Sequence, residues 1–270
     1  MMKTSALSIL FWTIAKVATA EECSNFLGQQ PTPTTIQSVI SAVSTFPAEK
    51  DEFETTEQHN ARIQSLTQNT PSTYIVYTNL DSRYAIYDAD NQIFKIKSFA
   101  IDNINARLEA VFGYGSPLYG RTSYSSIGNI DIIIYTSERT TGTYRGRNSF
   151  GATATISEVT RSNIGIFERG AQHGEDLFFR NSEESRRADN IIGTIPADAT
   201  TARALKDTMR AAVVIAPKAP WHASGDIRWG EPTIADPVDL TETVSILIAD
   251  IQCALVLDAS NKVLLAISTR

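Results

Sequence analysis

The chain is poor in the residues that usually carry chemistry. It has two cysteines and three histidines, with no C-x-x-C pair, so redox and zinc motifs of that spacing are excluded. No Walker A loop, H-E-x-x-H helix or EF-hand loop occurs. Arg147-Asn148-Ser149-Phe150-Gly151 lacks the first glycine of a nucleophile elbow, and Gly113-Tyr114-Gly115-Ser116-Pro117 does not complete one. Basic charge is also short. The 24 Lys and Arg face 30 Asp and Glu, a net charge of −6, which is the opposite balance from a nucleic-acid binder. Acidic charge favours a soluble chain that does not adhere to anionic membranes. After the N-terminal segment no second long apolar run follows, so the mature chain is not expected to span a membrane as a helix.

What is present begins at the N-terminus. Lys3 supplies a positive region, Ala6 to Ala15 an apolar core, and Ala18-Thr19-Ala20 the small-x-small pattern before Glu21. Residues 1–20 therefore read as a cleavable signal peptide. Lys16 weakens the apolar core, and the alternative is an uncleaved amphipathic helix. Cys23 follows Glu21-Glu22, carboxylates where a lipid acceptor needs small residues, so no lipid anchor is expected. The expected location is periplasmic or secreted. Losing Lys3 and Lys16, with no acid, takes the charge from −6 to −8. In an oxidising compartment Cys23 and Cys253 form a candidate disulfide that ties the two ends together. The alternative is a buried Cys253 and a free Cys23.

Three units follow: the signal peptide at 1–20, an entry segment or linker at 21–34, and a single β-rich globular domain at 35–270. Ile36, Val39, Ile40 and Val43 recur at helical spacing over about 35–45. Thr55 and Gln58 form a capping box for a second helix that stops before Pro71, with Phe53 placed to pack on Ile63 or Leu66. A third helix is predicted over about 199–210, capped by Asp198, with Leu205 and Met209 on one face. Strands are predicted at 74–77, 83–87, 93–97, 106–112, 130–136, 150–157 and 211–216. The phrase from Ala254 to Leu264 repeats the one from Ala85 to Phe94: strand, Asp-Ala-x-Asn, strand. It records either a duplicated unit or convergent turn chemistry. The fold class that results is α+β, a mainly antiparallel sheet system or sandwich with two or three short helices.

Candidate functional residues are few. His59 lies on the polar second helix, a solvated position by default. His173, beside Glu175 and Asp176, can ligate a metal or act as a base, but one turn supplies too few ligands for a metal site. The richest segment holds Trp221, His222, Asp226, Arg228 and Trp229. Two tryptophans on a loop can stack on a sugar ring or a partner side chain, or fold back to cap the core. Arg139, Arg145 and Arg147 make a cationic cluster suited to a carboxylate or phosphate, or a solvated hairpin face. Gly113 to Tyr124 read as a flexible aromatic loop. No catalytic residue, metal or cofactor is expected.

Lys50-Asp51-Glu52-Phe53-Glu54-Thr55-Thr56-Glu57, with Arg62 after it, resembles a motif of uncharacterised secreted or periplasmic bacterial proteins. Gly146, Asn148 and Phe150-Gly151-Ala152, and the run from Glu231 to Leu264, are similar to later parts of that group. Ala249-Asp250-Ile251-Gln252-Cys253 departs from it, replacing an aromatic-bearing run. The resemblance implies an exported β-rich domain and no assigned activity. The expected function is a non-enzymatic interaction module that binds a protein or envelope component. The alternatives are an envelope-polymer hydrolase, using His173, Glu175 and Asp176 or the His222/Asp226 pair, and a small-ligand carrier.

Overall fold

The structure, a computed structural model, describes residues 23–46, 50–68, 70–101, 110–111, 127–128, 132–167, 177–178, 190–229 and 231–269. The side chains at 110–111, 127–128, 220 and 226–229 are outside that set, as are the signal segment and the His173 cluster. The fold is α+β and sheet-dominated, mainly antiparallel.

Local sequence rules form the helices. Thr35 caps α1 (Ile36–Val43) by accepting from the Ser38 N–H, and Ile36, Val39 and Val43 are buried. Both halves of the capping box open α2 (Thr56–Thr67): Thr55 N–H donates to Gln58 Oε1, and Gln58 N–H to Thr55 Oγ1. Phe53, however, is 87% exposed and closes on neither Ile63 nor Leu66. The entry angle is held instead by Arg62, which donates to both carboxylate oxygens of Glu54 at 2.8 and 2.6 Å. That guanidinium holds the Glu54 carboxyl at about 2. Asp198 caps α3 (Ala199–Lys206), shorter than predicted, and the chain turns inward to bury Met209.

The strands are β1 (Tyr74–Thr78), β2 (Ala85–Asp88), β3 (Ile93–Lys97), β4 (Ala110–Val111), β5 (Ile127–Gly128), β6 (Ile132–Arg147), β7 (Thr153–Phe167), β8 (Ile191–Pro196), β9 (Arg210–Trp229), β10 (Val238–Leu257) and β11 (Val263–Ser268). Four of them, β6, β7, β9 and β10, run far longer than the sequence suggests. The main sheet runs β1-β9-β10-β7-β6. Its spine is β10, which pairs with β9 along nearly its whole length. On its other edge β10 passes from β7, parallel through Val238–Ile248, to β11, antiparallel through Cys253–Leu257. The sheet is therefore two offset halves on one shared pair of strands.

The base half is buried on both faces. Ala211, Val213, Ile215, Ala254 and Val256 enter the main core beneath α1 and the small sheet β2-β3-β8. Their neighbours Ala212, Val214, Cys253, Leu255 and Leu257 form a second cluster with Cys23. Burial on both faces explains the continuous apolar runs of these strands. The Cys23–Cys253 disulfide is present, with Cα atoms 5.8 Å apart. Residues from Cys23 to Thr34 lie on this base: Gly28 N–H donates to Val263 O, Val263 N–H donates to Gln29 O, and Thr34 bridges to Val76. The two similar hairpins, β2–β3 and β10–β11, both turn on an Asp that accepts backbone N–H groups, but the left-handed residue is Gln92 in one and Asn261 in the other. That difference favours shared turn chemistry over a duplicated unit.

The outer half has a different character. Here β9, β10, β7 and β6 run on past the base as a four-strand arm. After Ile133, β6 contains no buried residue, and only Ile156 is buried in the first ten residues of β7.

Candidate binding site

The segment from Trp221 to Trp229 is strand, not loop, and this corrects the sequence reading. The strand accommodates Pro217 and Pro220, which cannot donate to a ladder. Both fall where the β9–β10 register shifts, Pro217 facing Ala249 and His222 facing Leu247. Beyond that bulge β9 resumes to Trp229, opposite Leu240. Eight residues of extended chain put Trp221 and Trp229 roughly 25 Å apart along the strand, too far for one stacking surface.

Trp221 itself is 8% exposed and packs edge-on against Phe46, ring centroids 5.3 Å apart. Its backbone is left-handed, φ +72°, and its indole Nε1 has no hydrogen-bond partner among the described residues. His222 is half-buried, shares a hydrogen bond with Ser245 Oγ at 2.9 Å, and has its pKa lowered by burial. At neutral pH it is therefore uncharged. Asp226 stands opposite Thr243, four residues and roughly 13 Å further along the strand, so the two positions are not adjacent on the backbone. Arg228 stands opposite Thr241. The side chains of Asp226, Arg228 and Trp229 lie outside the described set.

A different place, the far end of the arm, gathers a concavity. Alternation puts Tyr144, Ile156, Glu158, Thr160, Ser162, Asp239, Thr241 and Thr243 on one face. Contacts fix that assignment: Tyr144 donates to Asp239 Oδ2 at 3.1 Å, and Thr243 to Ser162 Oγ at 2.9 Å. The β9–β10 connection folds beside this face. It is held by Ser157 N–H donating to Pro237 O and Asp236 N–H to Thr233 Oγ1. Between sheet and connection lies a cleft of about 1100 Å³. Tyr144 and Ile156 line it from the strands, Pro232 and Ile234 from the connection. Arg147 and Glu231 add one charge of each sign.

The β6–β7 turn beside the cleft is built to hold one aromatic outward. Asn148 Oδ1 accepts from the N–H groups of Phe150 and Ala152, at 3.1 and 2.9 Å. Gly151 supplies the left-handed residue, φ +88°. A side chain there is strained, and the Arg147 guanidinium occupies the adjoining space. Phe150 is left 95% exposed. Of this tip the sequence signalled the arginine cluster, and the motif resemblance touched Gly146, Asn148 and Phe150-Gly151-Ala152; the turn itself falls where the sequence predicts a strand from residue 150. Glu231 and Ile234 sit far away in the chain and meet it only because β7 and β10 run parallel.

No family model, no curated protein and no solved structure matches the chain.

Proposed function

We propose that this chain is an exported, non-enzymatic binding module that reaches its partner with the outer end of the four-strand arm. The observation that carries the reading is the arm itself. Four strands run on past the core and end in an open cleft and an exposed Phe150 whose backbone is fixed by Asn148. Exposed aromatic side chains beside polar concavities are the usual anchors of binding surfaces. Export is supported by the signal-like segment at 1–20 and by the Cys23–Cys253 bridge, which suits an oxidising compartment. The motif resemblance over Lys50–Glu57 points the same way. Periplasmic or secreted location follows as part of the proposal.

The test uses the mature chain, labelled and mixed with intact cells and isolated envelopes. The expected result is saturable retention that Phe150→Ser with Ile234→Ser weakens about tenfold, the size of a lost anchor, at unchanged melting temperature. Retention that ignores the tip, or none at all, overturns the reading.

A further inference from the structure

We infer that the end of the arm docks on a membrane surface of zwitterionic, phosphocholine-type headgroups, with Phe150 and Ile234 entering the interface. This rests on the binding-module reading and names its partner class. The apolar groups are in place. Phe150 is 95% exposed, Ile234 46% and Val238 38%, and all three belong to the two connections at the arm's end or the residue adjoining them. An aromatic ring and an aliphatic side chain held outward at the extremity of a rigid ribbon suit the boundary between headgroups and acyl chains.

Charge selects the kind of surface. Among the described residues the tip carries Arg145 and Arg147 on the β6–β7 hairpin, Glu231 and Asp236 on the β9–β10 connection, and Asp239 and Glu158 on the strand face beside Tyr144. Arg147 and Glu231, one of each sign, both line the cleft. A guanidinium suits a phosphate, while a carboxylate with the Tyr144 ring suits a quaternary ammonium. A phosphocholine headgroup presents both. An anionic surface does not fit: the chain's net charge is −6, and among the described residues this tip has no polybasic patch of the kind that grips such a surface. The contact is peripheral, since the apolar groups are a few side chains on two turns.

Flotation with phosphatidylcholine vesicles tests this, repeated with vesicles doped with phosphatidylserine. The expected result is co-flotation with the zwitterionic vesicles, no gain on doping, and little dependence on salt. Phe150→Asp is expected to weaken binding about tenfold or more, the effect of withdrawing one buried aromatic, and Ile234→Asp to weaken it less. Both positions are exposed, so melting temperatures should hold. Tyr135→Ser, at a 49% exposed aromatic low on the arm, should bind as the unaltered chain does. No flotation, an equal loss in Tyr135→Ser, or salt-sensitive binding only to doped vesicles overturns the inference. If vesicle binding fails while tip-dependent retention on cells persists, the lipid partner falls and the binding-module reading stands.

Discussion

Trp221 carries a left-handed backbone and a buried ring, and the two pull its substitutions in different directions. An L-residue at φ +72° is strained by roughly 1–2 kcal/mol, a strain glycine does not feel. The ring is 92% withdrawn from solvent against Phe46. Removing such a ring costs about 3–5 kcal/mol through lost burial and the cavity left behind. Trp221→Ala loses the packing and keeps the strain. Trp221→Gly loses the packing but relieves the strain, offset partly by the greater freedom of glycine in the unfolded chain. The expected order in urea unfolding is wild type, then Gly, then Ala, with Gly ahead of Ala by about 0.5–1 kcal/mol. Ala above Gly would show that the bulge does not hold the residue left-handed in solution. The ring was legible in the sequence as one of two uses, stacking surface or core cap. Only the bulge at Pro217–His222, set by strand pairing remote in sequence, turns it inward.

The elements meet where the small sheet crosses the large one, and Gly193 marks the contact. A Cβ built on Gly193 would lie 2.7 and 2.9 Å from the two methyl carbons of Leu265, on β11 of the main sheet. The absence of a side chain on β8 is what lets β11 approach. Gly193→Ala is expected to destabilise by about 1–3 kcal/mol through overpacking. Leu265→Ala alone costs about 2–3 kcal/mol for a half-buried leucine. In the double variant the new methyl fills part of the vacated space, so the costs should sum to less than additive by about 1 kcal/mol. Simple additivity in that cycle would mean the two sheets do not touch there. Element type was legible wherever a local rule writes it: the capping box at Thr55 and Gln58, the periodic face of α1, the alternation of β3. Strand length was not. The outer halves of β6, β7 and β9 are rich in Thr, Ser, Gly and Arg, with few buried positions to give a period-two signal, so the apolar inner ends of β6, β9 and β10 stood out, and of β7 only the outer piece at 150–157. The cleft was illegible for the same reason. Its two sides are brought together by the parallel β7–β10 pairing, and nothing local in either segment announces that partner.

Across the whole molecule, the Cys23–Cys253 bridge closes a loop spanning 230 positions, fastening the N-terminal segment to the spine strand β10. A crosslink of that span restricts the unfolded chain far more than it changes the folded one. The chain-entropy model assigns it about 5 kcal/mol, and removal of a native bridge typically costs about 2–5 kcal/mol. Both cysteines are 1% exposed, within a cluster that includes Val214, Leu255 and Val263. Dithiothreitol alone should therefore leave the bridge intact, and reduction should require urea. Replacing both cysteines with alanine removes little volume, so lost packing alone would lower the urea midpoint without changing the slope of stability against urea. Loss of the crosslink frees the unfolded chain to expand, which lowers the midpoint and also steepens that slope. Equilibrium urea unfolding of Cys23→Ala/Cys253→Ala is expected to show both effects. A lower midpoint at constant slope would reduce the bridge to a packing contact. An unchanged midpoint would show that the base sheet holds the N-terminal segment without it, through the Gly28, Gln29 and Thr34 backbone bonds alone. In either case vesicle binding by the folded variant should match the parent chain, because the arm's outer end lies on the far half of β10 from Cys253.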